Sequence, residues 1–214
     1  MLLHGGRRVD YLAVDMAAHR IATILAQHHG IAPGERVALL LPDTPELAFA
    51  AYGILWAGGV QCAIDLETDP EAIADALRTA GAKLLIGWHS RAEAVEQVSG
   101  ALEIDWLLVE PREFSRLLAA TPPRVPVADV AADAPALLLL DPETLVELGH
   151  GELADRASAA ADAAGLEPGV VVSAPPSLSD PLTQIGTLHA AVAAGAAVSL
   201  AATPVITAKE PSWR

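Results

Sequence analysis

Hydrophobic and polar positions along the chain follow two alternating periods. Apolar residues recur at helical spacing over residues 11–27, with polar residues on the other face, and predict an amphipathic helix. The uninterrupted apolar run at residues 36–41 predicts a strand buried on both faces, which is typical of parallel sheets. The same succession continues, with helices predicted at 45–57, 70–79, 91–99 and 113–120 and strands at 60–64, 83–86, 105–109 and 136–140. Helices and strands that alternate over short connections predict an α/β fold with mostly parallel sheets.

A proline-rich stretch interrupts this rhythm. Residues 121–133 contain Pro122, Pro123 and Pro126, a composition typical of a linker or a long surface connection. We therefore expect a first α/β subdomain over residues 1–120, a connection over 121–135 and a second, partial α/β subdomain over 136–214. The two subdomains can still pack as one domain.

The chain also resembles itself. The segment Gly-Ile-Ala-Pro-Gly at 30–34 is followed by a strand, a proline-rich turn, a helix and a second strand. The segment Gly-Leu-Glu-Pro-Gly at 165–169 is followed by the same succession, about 135 residues later. Two copies favour duplicated α/β halves over a solenoid, which needs three or more repeats. The alternative is that alanine-rich βαβ units look alike in register, and the sequence leaves it open.

Composition narrows the class of protein. The 214 residues are 52% hydrophobic and carry a net charge of −14, which excludes disorder and argues against nucleic acids and anionic membranes as partners. The single cysteine, Cys62, excludes an internal disulfide and is expected in the core. The uncharged segment 181–208 is broken by glycines and Pro204, so we do not expect it to span a membrane. No leader pattern follows the N-terminus, and a cytoplasmic location is expected.

Four segments carry a family resemblance. They are Gly-Glu-Arg-Val-Ala-Leu at 34–39, Leu-Pro-Asp-Thr-Pro-Glu at 41–46, Ala-Gly-Gly-Val at 57–60 and Ile-Asp at 64–65. Their order and spacing resemble the start of the adenylate-forming (AMP-binding) superfamily, which includes acyl-CoA synthetases, adenylation domains of peptide synthetases and luciferases. The resemblance implies two similar βαβ-type halves, like the N-terminal subdomains of those enzymes. In that family these residues build the scaffold and none is catalytic.

The next landmark of the family is a glycine- and hydroxyl-rich phosphate loop that ends in Pro-Lys-Gly. Its flanks are recognisable here at residues 133–140 and 145–153, but Asp141, Pro142, Glu143 and Thr144 stand between them. A phosphate cradle needs converging backbone N–H groups and a nearby cation. Pro142 removes one donor, and Asp141 and Glu143 add negative charge. We therefore predict that this loop does not bind the phosphates of ATP.

Other candidate chemistry is sparse. His150 matches a family position next to the phosphate loop, but it also lies where a helix is expected to start. Asp141 and Glu143 form a conceivable acid–base pair at the carboxyl end of a strand. The seven histidines lack the i, i+4 spacing of a helical metal site, and Ser173 and Ser177 lack a Gly-x-Ser-x-Gly elbow. We therefore expect no catalytic residue and no metal site.

The expected function follows from the missing family motifs. The magnesium-binding acidic residue and the catalytic lysine of the family have no counterpart in these 214 residues. The resemblance then implies a pseudoenzyme, a non-catalytic binding or interaction protein without a cofactor. Its partner would be another protein or a second copy, and a small acyl or nucleoside ligand between the halves is a further candidate. The alternative is a split or divergent adenylate-forming acyl ligase completed by a partner chain, which would use ATP and magnesium.

Overall fold

A computed structural model describes residues 1–140, 145–174 and 177–200. Its strands are β1 (Leu2–His4), β2 (Arg7–Val9), β3 (Arg36–Leu40), β4 (Val60–Ala63), β5 (Leu84–Trp88), β6 (Asp105–Val109), β7 (Pro135–Leu140), β8 (Leu145–Gly149), β9 (Val171–Ser173) and β10 (Ala197–Ser199). Its helices are α1 (Tyr11–His28), α2 (Pro45–Trp56), α3 (Pro70–Ala80), α4 (Ala92–Leu102), α5 (Pro111–Ala120), α6 (His150–Ala163), α7 (Pro181–Gln184) and α8 (Ala190–Ala193). A 3₁₀ turn at His89–Arg91 precedes α4, and a π-helical turn at Ile185–His189 joins α7 to α8.

The larger sheet has six strands in the order β6-β5-β3-β4-β7-β8. All neighbours are parallel except β7 and β8, which form an antiparallel hairpin. Both faces are covered, because alternate residues of β3 enter different parts of the core. Leu39 packs in the cluster that holds α1 and α2, whereas Leu40 packs in the cluster that holds α3 and α4. This two-sided burial explains the uninterrupted apolar run of β3 and confirms the predicted α/β class.

The smaller sheet has four strands in the order β2-β1-β10-β9. Strand β1 pairs parallel to β10, with Leu2 opposite Val198. Both residues belong to the core cluster that contains α1 and α2, so one apolar core joins the two sheets. The Tyr11 hydroxyl, at the start of α1, also donates hydrogen bonds to the backbone oxygens of Ala191 and Ala196. The N-terminal segment is thus held by strand pairing and hydrogen bonds to residues 191–199.

The repeated segments fold into two parallel βαβ units. The first is β3-α2-β4 in the larger sheet, and the second is β9, the helical segment 181–193 and β10 in the smaller sheet. Strands from both sides of the proline-rich connection share the larger sheet, because β7 pairs with β4 through Gln61 and Leu137. No helix among the described residues is long and apolar enough to cross a membrane.

Helix α3 shows how local sequence sets the ends of an element. The Asp69 side chain accepts a hydrogen bond from the backbone N–H of Ala72, and Pro70 occupies the first helical position, where its missing N–H costs nothing. Gly81 ends the helix in the left-handed conformation, with φ of 61°, which glycine adopts without a steric penalty. Asp69 is therefore the N-cap of α3.

Close packing of α1 against α2 depends on Gly53. A Cβ atom at this position would lie 2.4 Å from Cγ2 and 2.6 Å from Cβ of Ile21, with the backbone oxygen of Ala18 at 3.2 Å. We expect Gly53→Ala to lower the free energy of unfolding by about 1–3 kcal/mol, because the helices must move apart. Urea denaturation measures this change.

Gly100 provides the matched control. It is an exposed residue of α4, and no atom lies within 4 Å of the Cβ that alanine would add. Gly100→Ala should therefore raise the free energy of unfolding by about 0.5–1 kcal/mol through helix propensity alone. If both variants changed the free energy of unfolding in the same direction, this result would contradict the close contact of Gly53 with Ile21.

Candidate functional site

The carboxyl ends of β3, β4 and β7 lie at one edge of the larger sheet, because these strands are parallel neighbours. Asp43 follows β3, Asp65 follows β4, and the predicted phosphate-loop position follows β7. Ligand sites of open α/β sheets form at this edge. The fold therefore places two acidic side chains of described residues at the edge where β7 ends.

The β7–β8 hairpin limits the length of the connection between its two strands. The two strands stay paired as far as Leu140 and Leu145, so four residues connect them. These four, Asp141, Pro142, Glu143 and Thr144, lie outside the described residues. Their predicted failure to bind phosphate, and the acid–base pair considered for Asp141 and Glu143, remain predictions.

A polar cluster at this edge connects the two sheets. The Ser179 hydroxyl donates to Oδ2 of Asp65 at 3.1 Å, and Ser177 and Ser179 share a hydrogen bond of 2.5 Å. The backbone N–H of Leu178 donates to Oδ1 of Asp43 at 2.9 Å. Burial raises the pKa of Asp43, the hydrogen bond from Leu178 opposes that rise, and the nearby charge of Asp65 adds to it. The edge is therefore acidic, and its carboxylates are engaged with the loop before α7.

Sequence reasoning did not assign Asp43 and Asp65 to a site. It placed them in the scaffold, and it considered Ser177 only as a nucleophile. The signal that could have found the cluster is that each aspartate closely follows a buried strand. The pairing of Asp65 with Ser177 and Ser179 could not have been found this way, because these residues lie more than 110 positions apart.

His150 lies at the other end of the β7–β8 hairpin. Strand β8 carries the chain about 15 Å away from Leu145, and Gly149, the residue before His150, lies opposite Pro135, the first residue of β7. The backbone N–H of His150, the first residue of α6, donates to the oxygen of Ala134 at 3.0 Å. Burial lowers the pKa of the imidazole, and its Nε2 has no hydrogen-bond partner within the described ranges. Although His150 is close in sequence to the predicted phosphate-loop position, the length of a strand separates it from the carboxyl edge of the sheet.

The single cysteine is part of the core. Cys62 is fully buried in β4, and burial raises the pKa of its thiol to about 12, so it behaves as a core residue as expected. No group of three or more potential ligands for a metal ion occurs in residues 1–140, 145–174 and 177–200.

Comparisons with known proteins identify CoA ligases and synthetases as relatives. The chain is 28% identical over 137 residues to a 3-hydroxybenzoate–CoA/4-hydroxybenzoate–CoA ligase of Thauera aromatica, an alignment that covers 64% of this chain and 23% of that ligase. It is 31% identical over 80 residues to an acetyl-coenzyme A synthetase of Rhodobacter capsulatus, which covers 37% of this chain and 12% of that synthetase.

Solved structures share the fold of this chain. A benzoate CoA ligase from Burkholderia xenovorans LB400 superposes with a TM-score of 0.84 at 23% identity, over 92% of this chain and 41% of that one. The N-terminal domain of FACL13 from Mycobacterium tuberculosis superposes with a TM-score of 0.79 at 20% identity, over 92% of this chain and 52% of that one. The chain thus spans about a quarter of the curated ligase and two-fifths of the benzoate ligase structure.

The decisive comparison is with protein families. The family described as AMP-binding enzyme matches residues 1–141, which contain both α1 and α2 and all strands of the larger sheet except β8. The chain therefore belongs to the AMP-binding enzyme family.

Proposed function

We propose that this chain is a non-catalytic binding or interaction protein, built on the N-terminal scaffold of its family and without use of ATP. The observation that carries the proposal is the charge at the carboxyl edge of the larger sheet. Asp43 and Asp65 lie there, and the four residues that continue from β7 add Asp141 and Glu143 but no lysine, arginine or glycine.

The size of the electrostatic effect supports this proposal. A carboxylate about 5 Å from a phosphate charge opposes binding by roughly 3 kcal/mol at an effective dielectric constant near 20. The two carboxylates of the connection would both have to be offset by a cation, and the connection offers none. Pro142 also removes a backbone donor where a phosphate cradle needs consecutive N–H groups.

Isothermal titration with magnesium-ATP tests the proposal. We expect no saturable heat from the wild-type chain at micromolar concentrations, and a measurable gain in affinity for the double variant Asp141→Asn, Glu143→Gln. The matched control is Asp155→Asn with Asp162→Asn, which removes the same charge from exposed positions of α6 and should gain less. Micromolar binding of ATP by the wild-type chain, abolished by substitutions at 141–144, would overturn the proposal.

A protein partner or self-association fits the exposed apolar side chains. Leu12 and Met16 on α1 are 65% and 43% exposed, and Leu145 and Val146 on the edge strand β8 are 41% and 42% exposed. Unpaired edge strands and apolar patches both favour association. Light scattering over a range of concentrations should detect a mass above that of one chain, and a single monomer mass throughout would contradict self-association.

The alternative function is a split or divergent adenylate-forming acyl ligase completed by a partner chain. It is favoured by the similarity to CoA ligases and by one solved relative, an anthranilate CoA ligase in complex with anthranoyl-AMP. Pyrophosphate exchange with a pool of carboxylic acids, measured with and without cell lysate, detects this activity. Thermal shifts with AMP, CoA and acyl-adenylate mimics separate ligand binding without turnover from a pure interaction role.

A further inference from the structure

A cavity of about 410 Å³ lies between α2, α6 and the helical segment 185–193, at the end of the larger sheet remote from Leu140 and Leu145. Its walls are mostly apolar and include Trp56 from α2 and Ala157 from α6. Two histidines line the same cavity, His150 from the start of α6 and His189 from the π-helical turn. Apolar walls with a few convergent polar groups are typical of small-molecule sites.

His189 is held in one tautomer by its neighbour. Its Nδ1 lies 3.1 Å from the hydroxyl of Tyr52, which has no other hydrogen-bond partner among the described residues. A buried hydroxyl needs an acceptor for its proton, so the Tyr52 hydroxyl donates to Nδ1 and the imidazole proton resides on Nε2. His189 is 6% exposed, and this Nε2–H has no acceptor within the described part of the chain.

His150, which lines the same cavity, also has a ring nitrogen without a hydrogen-bond partner among the described residues. Its Nε2 is also buried and has no partner among residues 1–140, 145–174 and 177–200. An unpaired buried polar atom costs about 1–3 kcal/mol, so two of them around one cavity call for an explanation. Both nitrogens are screened from solvent, so a ligand oxygen can contact them only after the side chains that cover them move aside.

The charge of the occupant follows from the charge of the walls. Burial lowers the pKa of both imidazoles, that of His189 to about 4, so both are neutral at neutral pH. The other polar side chains of the cavity, Tyr52 and Ser158, are also uncharged at this pH. A carboxylate ligand would therefore lose its hydration without gaining a cation. An uncharged oxygen that accepts a hydrogen bond avoids this penalty.

We propose that this cavity binds an uncharged aromatic molecule bearing a hydroxyl group. The aromatic ring lies between Trp56 and the small side chains of α6, and the hydroxyl oxygen accepts from Nε2–H of His189 while the hydroxyl group pairs with His150. The site does not depend on the proposed lack of ATP binding, because it lies at the opposite end of the larger sheet.

Histidine-selective NMR of the full chain tests the site, with benzyl alcohol, toluene and benzoate as probes. Benzyl alcohol should shift the ring signals of His150 and His189 saturably. Toluene, which lacks the oxygen, should bind about fivefold more weakly, the equivalent of one neutral hydrogen bond. Benzoate, which brings the charge, should produce no saturable shift.

Two variants of α6 separate binding in the cavity from binding elsewhere. Ala154 is exposed and lines the cavity, so Ala154→Trp should fill the mouth and abolish the shifts caused by benzyl alcohol. Ala159→Trp adds the same side chain at an exposed position of the same helix outside the cavity and should preserve them. Any one of four results would overturn the proposal. They are the absence of shifts with benzyl alcohol, equal affinity for toluene and benzyl alcohol, stronger binding of benzoate than of benzyl alcohol, and equal loss of the shifts in both variants.

Discussion

Acidification from pH 7 to pH 4 should destabilise the wild-type chain by about 3 kcal/mol more than the variant His189→Asn. Burial lowers the pKa of His189 from 6.5 to about 4. Between these two pH values the side chain is therefore protonated in the unfolded chain and neutral in the folded chain. The stabilisation is complete above the unfolded pKa and is lost as the pH falls from about 6.5 to 4.

The asparagine variant isolates this effect. Its side-chain oxygen can replace Nδ1 as the acceptor for the Tyr52 hydroxyl, whereas the residue itself does not titrate. Other groups that respond to acid, such as the hydrogen-bonded Asp105 with its lowered pKa, are common to both proteins and cancel in the difference. Urea denaturation at intervals of half a pH unit measures the two curves. Parallel curves would show that His189 is protonated at its ordinary pKa.

The single variant Gln184→Ala should lower the free energy of unfolding by about 3 kcal/mol. Gln61 of β4 and Gln184 of α7 are fully buried, and Nε2 of Gln61 donates to Oε1 of Gln184 at 2.5 Å. Gln184 also donates to the backbone oxygen of Leu178 at 3.3 Å. Removal of this side chain leaves the amide of Gln61 without a partner and opens a cavity in the core.

The double variant Gln61→Met, Gln184→Met should be within about 1.5 kcal/mol of wild type, because both polar partners are replaced by apolar groups of similar volume. Oε1 of Gln61 already lacks a partner in the described part of the chain, so its loss removes an unfavourable burial. Gln97→Ala, an exposed position of α4, is the matched control and should change stability by less than about 0.5 kcal/mol. A double variant as unstable as the single one would contradict this account of the glutamine pair.

Most helices and strands were predictable because their signals are local. The strand at 105–109 was predicted with the observed bounds, and α3 differs from its prediction by one residue. Strands β1 and β2 were not predicted. Each has three residues, and β1 acquires its parallel partner only when β10, almost 200 positions away, lies beside it. A strand this short has no periodicity of its own to detect.

In the candidate site, too, some features depend on local sequence and others on contacts between distant residues. Family membership and the acidic residues of the β7–β8 connection are contained in the order of the amino acids. The positions of His150 and of the glutamine pair are not, because they depend on which strands become neighbours.

The sequence by itself determined the class of fold, the family and the acidity of the connection at 141–144, since each is expressed in residues close together along the chain. Only the tertiary structure decided three further features: that β7 lies beside β4, that Asp65 meets Ser177 and Ser179, and that His150 and His189 line one cavity. The reason is that burial and pairing are properties of residues distant in sequence. The local sequence around a single histidine in an alanine-rich helix does not predict which distant residues will bury it.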